Sequence, residues 1–334
     1  MFIPFMTTGI GSLPHTNPEE ACELILNTFD IPFWPQLPQL SFHESMIPQF
    51  SEGIPFLKID EKKEKIWIER DNSSALTKFY ETYSEDLGIA VSEGYAKGLY
   101  PFIEMVKDEH FRFLKGHVTG PLTFTLGLKD SDGRLVYFDE ELREISLMVL
   151  KAKIKWQVET LKPYAEHIII FVDEPILSAL GSTSYIGVDP EESLRLLREI
   201  LEAIKYAGAI PGIHCCSKAD WQMVIKTGTN IISFDAYDYI DTISLYPAEF
   251  TEFLKGGGYL AWGIIPTTDS ISGENSDSIK RRFDTSMERL SNSIPADLLL
   301  SQILLTPSCG TGSRTVEETL KVFRLLVELK KLLI

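Results

Sequence analysis

The sequence has 334 residues, 44% of them hydrophobic and 24% charged, which is enough apolar material for one large core. Its formal net charge of −16 argues against nucleic acid and anionic membranes as partners, because both are held by clustered Lys and Arg. No run of 18 apolar residues occurs, so no membrane-spanning helix is expected, and four cysteines are too few and too unevenly placed for a disulfide framework.

No Lys or Arg precedes Lys58, so no basic start of a secretory signal is read. A reducing cytoplasm is the expected compartment. Clustered thiols there point to metal binding or catalysis.

In chain order, short apolar runs that read as strands are 5–12, 32–37, 113–120, 167–173, 209–216, 230–236, 259–265 and 303–308. Most are continuous rather than alternating, as parallel strands buried on both faces should be. Helices lie between them. Asn17-Pro18-Glu19-Glu20 and Asp189-Pro190-Glu191-Glu192 each read as an N-cap, a first-turn proline and early acids. The second opens a helix with Leu194, Leu197, Leu201 and Ile204 on one face, ending at Gly208. Ser217 and Asp220 are a further capping-box candidate, and a last helix from Thr315 puts Val316, Leu320, Phe323 and Val327 on one face. Residues 54–70 read as a hairpin around Asp60-Glu61-Lys62-Lys63, inserted at about 50–75, and 269–278 as a mobile loop. Strand followed by helix, eight times, predicts an α/β fold with one closed (β/α)₈ TIM barrel over residues 1–334. A doubly wound open sheet is the rival.

Chemistry in such a barrel sits at the C-terminal ends of the strands. The fifth run ends His214-Cys215-Cys216, and residues two apart in a strand point the same way, so His214 and Cys216 share a face that Cys215 does not. The eighth ends Ser308-Cys309-Gly310. An imidazole and two thiolates suit Zn²⁺, though each could also be an ordinary buried side chain. Asp235, ending the sixth run, is either a fourth ligand or an acidic cap. Asp173-Glu174-Pro175, ending the fourth, either holds a substrate ammonium or serves turn chemistry. Gly9-Ile10-Gly11-Ser12 lets backbone approach a ligand, and His117 reads equally as a core histidine or a pocket donor.

In this order, Ile10-Gly11-Ser12-Leu13-Pro14, Thr119-Gly120-Pro121, Asp173-Glu174-Pro175, His214-x-Cys216 and Pro307-x-Cys309-Gly310 resemble the catalytic C-terminal barrel of the cobalamin-independent methionine synthase family. The resemblance spans nearly the whole chain. It implies zinc held by His214, Cys216, Asp235 and Cys309, with Asp235 standing where the family has glutamate. It also implies homocysteine held near Ser12 and by Asp173, with Glu44 the one acid in 40–46 to match a further family glutamate. The second, folate-binding barrel of the long family members is absent. The family's histidine after the seventh strand is missing from Ala261-Trp262-Gly263-Ile264-Ile265-Pro266-Thr267. Short core members are associated with corrinoid methyl donors, so the resemblance implies a zinc-dependent thiol methyltransferase that takes a methyl group from a corrinoid or corrinoid protein. Two other readings stay open. One is a methyltransferase for coenzyme M or another thiol. The other is a zinc- or corrinoid-binding accessory protein without turnover. A uroporphyrinogen decarboxylase would need arginines for several carboxylates, and none precedes Arg70.

Overall fold

Seven parallel strands form one curled sheet in the computed structural model, which describes residues 2–71, 74–84 and 88–334. Along the chain the strands are β1 (Met6–Thr7), β2 (Leu57–Asp60), β3 (Lys65–Ile68), β4 (Phe111–Thr119), β5 (Ala165–Asp173), β6 (Ile210–Cys215), β7 (Ile231–Asp235), β8 (Tyr259–Ile265) and β9 (Ile303–Pro307). The parallel sheet runs β1-β9-β8-β7-β6-β5-β4, with helices between successive strands, and makes a half-barrel. β2 and β3 are the antiparallel hairpin expected, pairing Leu57 with Ile68 and Asp60 with Lys65. Residues 72 and 73, near the far end of the expected insertion, lie outside the described residues.

The expected second strand does not form. Residues 32–37 make only isolated bridges, Phe33 to Lys115 and Ser12 to Gln36. The reason is chemical: Pro32, Pro35 and Pro38 have no N–H to give to a ladder. The segment still crosses the gap between β1 and β4. Ile31 N donates to Thr7 O (3.0 Å), Gln36 N to Gly11 O (3.0 Å), and Lys115 N to Pro32 O (2.8 Å). The closed eight-stranded ring is therefore replaced by seven strands and one irregular stave.

Strand alternation sorts the core into two bodies. Inward residues such as Phe113, Ile169, Phe171, Ile231, Tyr259 and Leu304 fill the interior of the sheet. The opposite faces, Ile213, Cys215 and Phe234 among them, pack in the larger shell under the helices.

Local signals fix the helix starts. Asn17 Oδ1 accepts from Glu19 N (3.0 Å) and Glu20 N (3.2 Å), and Asp189 Oδ1 from Glu191 N (3.0 Å). Leu197, Leu201 and Ile204 are buried and Leu194 is half-buried. Three expectations fail. Asp220 caps Trp221–Lys226 through Met223 N (3.1 Å) and is itself the N-cap, so Ser217 is no part of a box with it. Residues 269–278 are a 3₁₀ turn, Asp269–Gly273, followed by a helix whose Asn275–Ser278 capping box uses the very residues read as a loop. On the last helix Val316 and Leu320 are 42% and 47% exposed, while Val322, Phe323, Leu326 and Leu329 are buried. Two stripes of 3/4 spacing coexist there, and pattern alone cannot choose between them.

Gly120 shows how tightly the C-terminal end of the sheet is built. Its φ of −67° is ordinary, yet a Cβ there would fall on the carboxyl group of Glu174. That carboxyl accepts from Leu122 N (2.8 Å), Thr123 N (2.8 Å) and Thr123 Oγ1 (2.6 Å), pinning the start of Pro121–Gly127. Gly120→Ala should therefore cost about 1–3 kcal/mol by overpacking alone. The expected result is a fall of several degrees in the thermal midpoint; a change below about one degree would show that the carboxyl moves aside freely.

Candidate metal and substrate site

At the C-terminal ends of the strands the inward positions turn from apolar to polar. β4 contributes Lys115 and His117, β5 Asp173, β6 His214, and β7 Ser233 and Asp235, all but Asp173 fully or nearly fully buried. Each sits two residues beyond an inward residue of its own strand, or four.

His214, Cys216 and Cys309 come together, with one donor atom of each within 4.8 Å of the others. Ser233 Oγ lies 2.9 Å from His214 Nδ1, and the buried Nε2 has no partner in the protein. The imidazole is thus held by one nitrogen with the other left over, as outer-shell hydrogen bonds hold metal-binding histidines. A hydrogen bond from Cys309, and then the neighbouring His214 imidazole, pull the Cys216 thiol down to about 4. The Cys309 thiol, donating that bond and buried, is pushed well above the usual thiol range. An imidazole nitrogen and two sulfurs, one already favouring the thiolate, are a donor set that fits Zn²⁺. Cys215 faces the outer shell, fully buried, its Sγ 3.7 Å from Ser217 O, and burial pushes its thiol up to about 12. Cys22 is likewise buried, with Sγ 3.4 Å from Gly98 O.

Asp235 is not in this group of three. Its Oδ1 accepts from Tyr237 N (2.8 Å) and Asp238 N (2.9 Å), the geometry of an acidic cap, and burial pushes the carboxyl up to about 7. Ser12 lies against the loop after Cys309. Its carbonyl accepts from Thr311 N (2.8 Å) and its Oγ from Gly312 N (3.3 Å), and side chains at Gly310 or Gly312 would strike it. Glu44 is fully buried and engaged by the chain itself, accepting from Leu37 N (2.9 Å), Gln49 Nε2 (3.2 Å) and Lys97 N.

The acid pair at the end of β5 is split by strand alternation. Glu174 turns outward onto the helix start described above. Asp173 turns inward beside His214, its partner in the β5–β6 register, and its Oδ1 is buried without a hydrogen bond. Burial pushes Asp173 up to about 6, against the pull of His214 and Lys115. His117 stacks on Trp34 with ring centroids 3.9 Å apart, and its Nε2 lies 3.3 Å from Gln49 Oε1. Burial, then the Lys115 charge, hold it well below the usual histidine range, so it is neutral.

Sequence reasoning missed Lys115 and Ser233. Lys115 did leave a signal, since it shares the parity of Phe113 and His117 and therefore had to face the interior. Ser233 left none, because a lone serine in an apolar strand has no chemistry of its own. After β8 the position is Thr267, whose N–H donates to Ser308 Oγ (3.2 Å).

No family model matches the sequence, and no curated protein matches it significantly. The fold has known counterparts. A B12-independent methionine synthase from Shewanella sp. W3-18-1, solved in complex with selenomethionine, superposes with a TM-score of 0.61 at 15% identity over 98% of this chain and 97% of that one. A Listeria monocytogenes protein provisionally described as a vitamin-B12-independent methionine synthase gives 0.52 at 16% identity over 99% and 98%. The chain thus shares, end to end, a fold found in structures of that type.

The thiols differ enough to be ranked by alkylation of the metal-free protein. A thiol pulled down to about 4 stays a thiolate as pH falls through neutrality, whereas an ordinary one loses about tenfold in reactivity per pH unit below about 8.5. Iodoacetamide should therefore label Cys216 first, at a rate nearly flat from pH 6 to 8 (about two units), and leave Cys22 and Cys215 unmodified. Mass mapping that found Cys215 labelled before Cys216 would reverse the face assignment.

Proposed function

We propose that this chain is a zinc-dependent methyltransferase that activates a small thiol, homocysteine foremost, and passes to it a methyl group from a corrinoid, giving methionine. The observation that carries the reading is the convergence of His214 Nε2, buried and unpartnered, with the sulfurs of Cys216 and Cys309. The end-to-end likeness to methionine synthase structures supports it, and the selenomethionine held by one of them supports an amino-acid thiol as substrate.

On this reading His214, Cys216 and Cys309 hold the metal, and Asp235 completes the set through the oxygen not engaged by Tyr237 and Asp238. Zinc, when bound, supplies a Lewis acid that lets a substrate thiol give up its proton at neutral pH. Asp173 takes the substrate ammonium, its free Oδ1 aimed into the same interior. The turn at Ser12 takes the other end of the amino acid, and Glu44 shapes the mouth by holding Leu37, Gln49 and Lys97 together. The methyl moves to sulfur as a cation equivalent, and the electron pair of the cobalt–carbon bond stays with cobalt. No protonated leaving group is needed, which suits a mouth that has Thr267 where a histidine would assist a folate nitrogen. On this reading the chain is one (β/α)₈-type domain, with the hairpin as an insertion and residues 32–37 as its irregular stave. Its four free thiols suit the cytoplasm. No helix among the described residues is long and apolar enough to cross a membrane.

A metal-holding protein without turnover is the second reading, favoured by one observation: Asp235 Oδ1 is already committed to two backbone amides.

Two measurements test the proposal. The purified protein should carry about one zinc per chain. Cys216→Ser and Cys309→Ser should lose most of it with the fold intact, while Cys215→Ser keeps it; zinc retained by both site variants would refute the ligand set. Anaerobic assays with homocysteine should then form methionine faster from methylcobalamin than from methyltetrahydrofolate or its polyglutamate. Faster turnover with a folate would overturn the choice of donor. Zinc without turnover on any donor would favour the second reading.

A further inference from the structure

The four free thiols fall into two classes by their place in the fold. Cys22 and Cys215 are fully buried, each with its sulfur near a backbone carbonyl. Cys216 and Cys309 are half-buried and meet at the mouth of the sheet. Neither belongs to a strand. Cys216 follows the last residue of β6, and Cys309 stands two residues past the end of β9. Their sulfurs lie within 4.8 Å of each other, and the Cys309 thiol donates a hydrogen bond to the Cys216 sulfur.

Two chemistries compete for sulfurs so placed. Tetrahedral zinc ligation at about 2.3 Å per thiolate keeps two sulfurs roughly 3.8 Å apart and engages their lone pairs. A disulfide draws the same two atoms to about 2.05 Å and leaves no thiolate. The two states exclude each other. Partner choice is settled by the fold. Cys215 adjoins Cys216 in sequence, yet alternation turns its sulfur into the helix-packed shell, so Cys309 is the thiol that Cys216 meets. A half-buried cysteine in contact with a second thiol is the arrangement in which oxidation stops at a disulfide instead of running on to irreversible acids.

We propose that Cys216 and Cys309 form a redox modification site for peroxides, a dithiol whose oxidation to a disulfide empties the metal site and whose reduction restores it. The Cys216 sulfur attacks one oxygen of hydrogen peroxide. The O–O bond breaks, a sulfenic acid forms, and the second oxygen leaves and takes up a proton as water. The Cys309 sulfur then attacks the Cys216 sulfur. An S–S bond forms, the S–O bond breaks, and the hydroxyl takes up a proton and leaves as water. The sulfurs lose two electrons and the peroxide gains them. A thiol reductant reverses the change by exchange. The inference rests on the zinc reading of this site and adds its regulation: methyl transfer that stops when peroxide rises and resumes when it falls.

The test titrates the zinc-loaded full chain with hydrogen peroxide in the absence of reductant. Released zinc is read with a chromogenic chelator, and disulfides are mapped by mass. About one zinc should appear per disulfide formed, with the link between Cys216 and Cys309. Dithiothreitol followed by added zinc should return the chain to its starting metal content. Cys22→Ala and Cys215→Ala should release zinc at the wild-type rate. Zinc retained at peroxide levels that oxidise free cysteine would overturn the inference. So would zinc lost with both sulfurs found as sulfinic acids, or with Cys216 linked to Cys215. A chain that takes up no zinc would instead sink the methyltransferase reading. Mapping of that metal-free chain after peroxide would still decide the dithiol: a Cys216–Cys309 link supports it, and its absence overturns it.

Discussion

The register of β6 between its neighbours is the constraint on which the site depends. Asp173 pairs with His214 across β5–β6, and Cys215 with Phe234 across β6–β7. Because side chains alternate, this pairing sends His214 into the interior and Cys215 into the helix-packed shell. A slip by one residue would exchange them, turning His214 and Cys216 out of the interior and leaving Cys309 opposite Cys215 with no imidazole. The apolar shell specifies the register by burying Ile213 and Cys215. The interior then receives what that choice leaves over. Packing outside the sheet thus decides the chemistry inside it.

That interior is unusual in its charge. Cys216, Asp173 and Asp235 gather at the C-terminal end of the sheet interior, with His214 and Lys115 as the basic groups among them. Burial pushes both carboxyl groups up, and each is raised further by the neighbouring Cys216 sulfur. Acidic groups crowded in this way repel one another and are relieved by any cation that enters. The same electrostatics that destabilise the empty arrangement favour a divalent ion at one end and an ammonium at the other. The net charge of −16 bears on neither, because the relevant field is local.

Much of this was legible in the sequence, and the failures have physical causes. The Asn17 and Asp189 caps, the hairpin and seven of eight parallel strands followed from local patterns. The second strand failed because hydrophobicity was weighed and the missing N–H groups of three prolines were not. The mouth motifs marked the right strand ends but not which way each acid turns. Alternation separates Asp173 from Glu174, yet which of the two faces inward depends on where β5 begins, which the sequence leaves loose. Glu44 and Asp235 also accept hydrogen bonds from backbone amides that only the folded loops bring near, which local pattern does not reveal. Lys115 was overlooked because a lone lysine in an apolar strand reads as an edge feature until its neighbours are known to be buried on both sides.

The proline-bearing stave has a consequence for motion. Elsewhere the sheet is stitched by continuous ladders, but between β1 and β4 a few isolated hydrogen bonds carry the junction. Amide protons there are shielded by no neighbouring ladder, so this seam is where the native sheet opens most cheaply and exchanges its amides first. The seam borders Gly11 and Ser12, the turn assigned to the substrate. A chain whose least-laddered junction lies beside that turn can loosen there without parting the strands that lead to His214, Cys216 and Cys309.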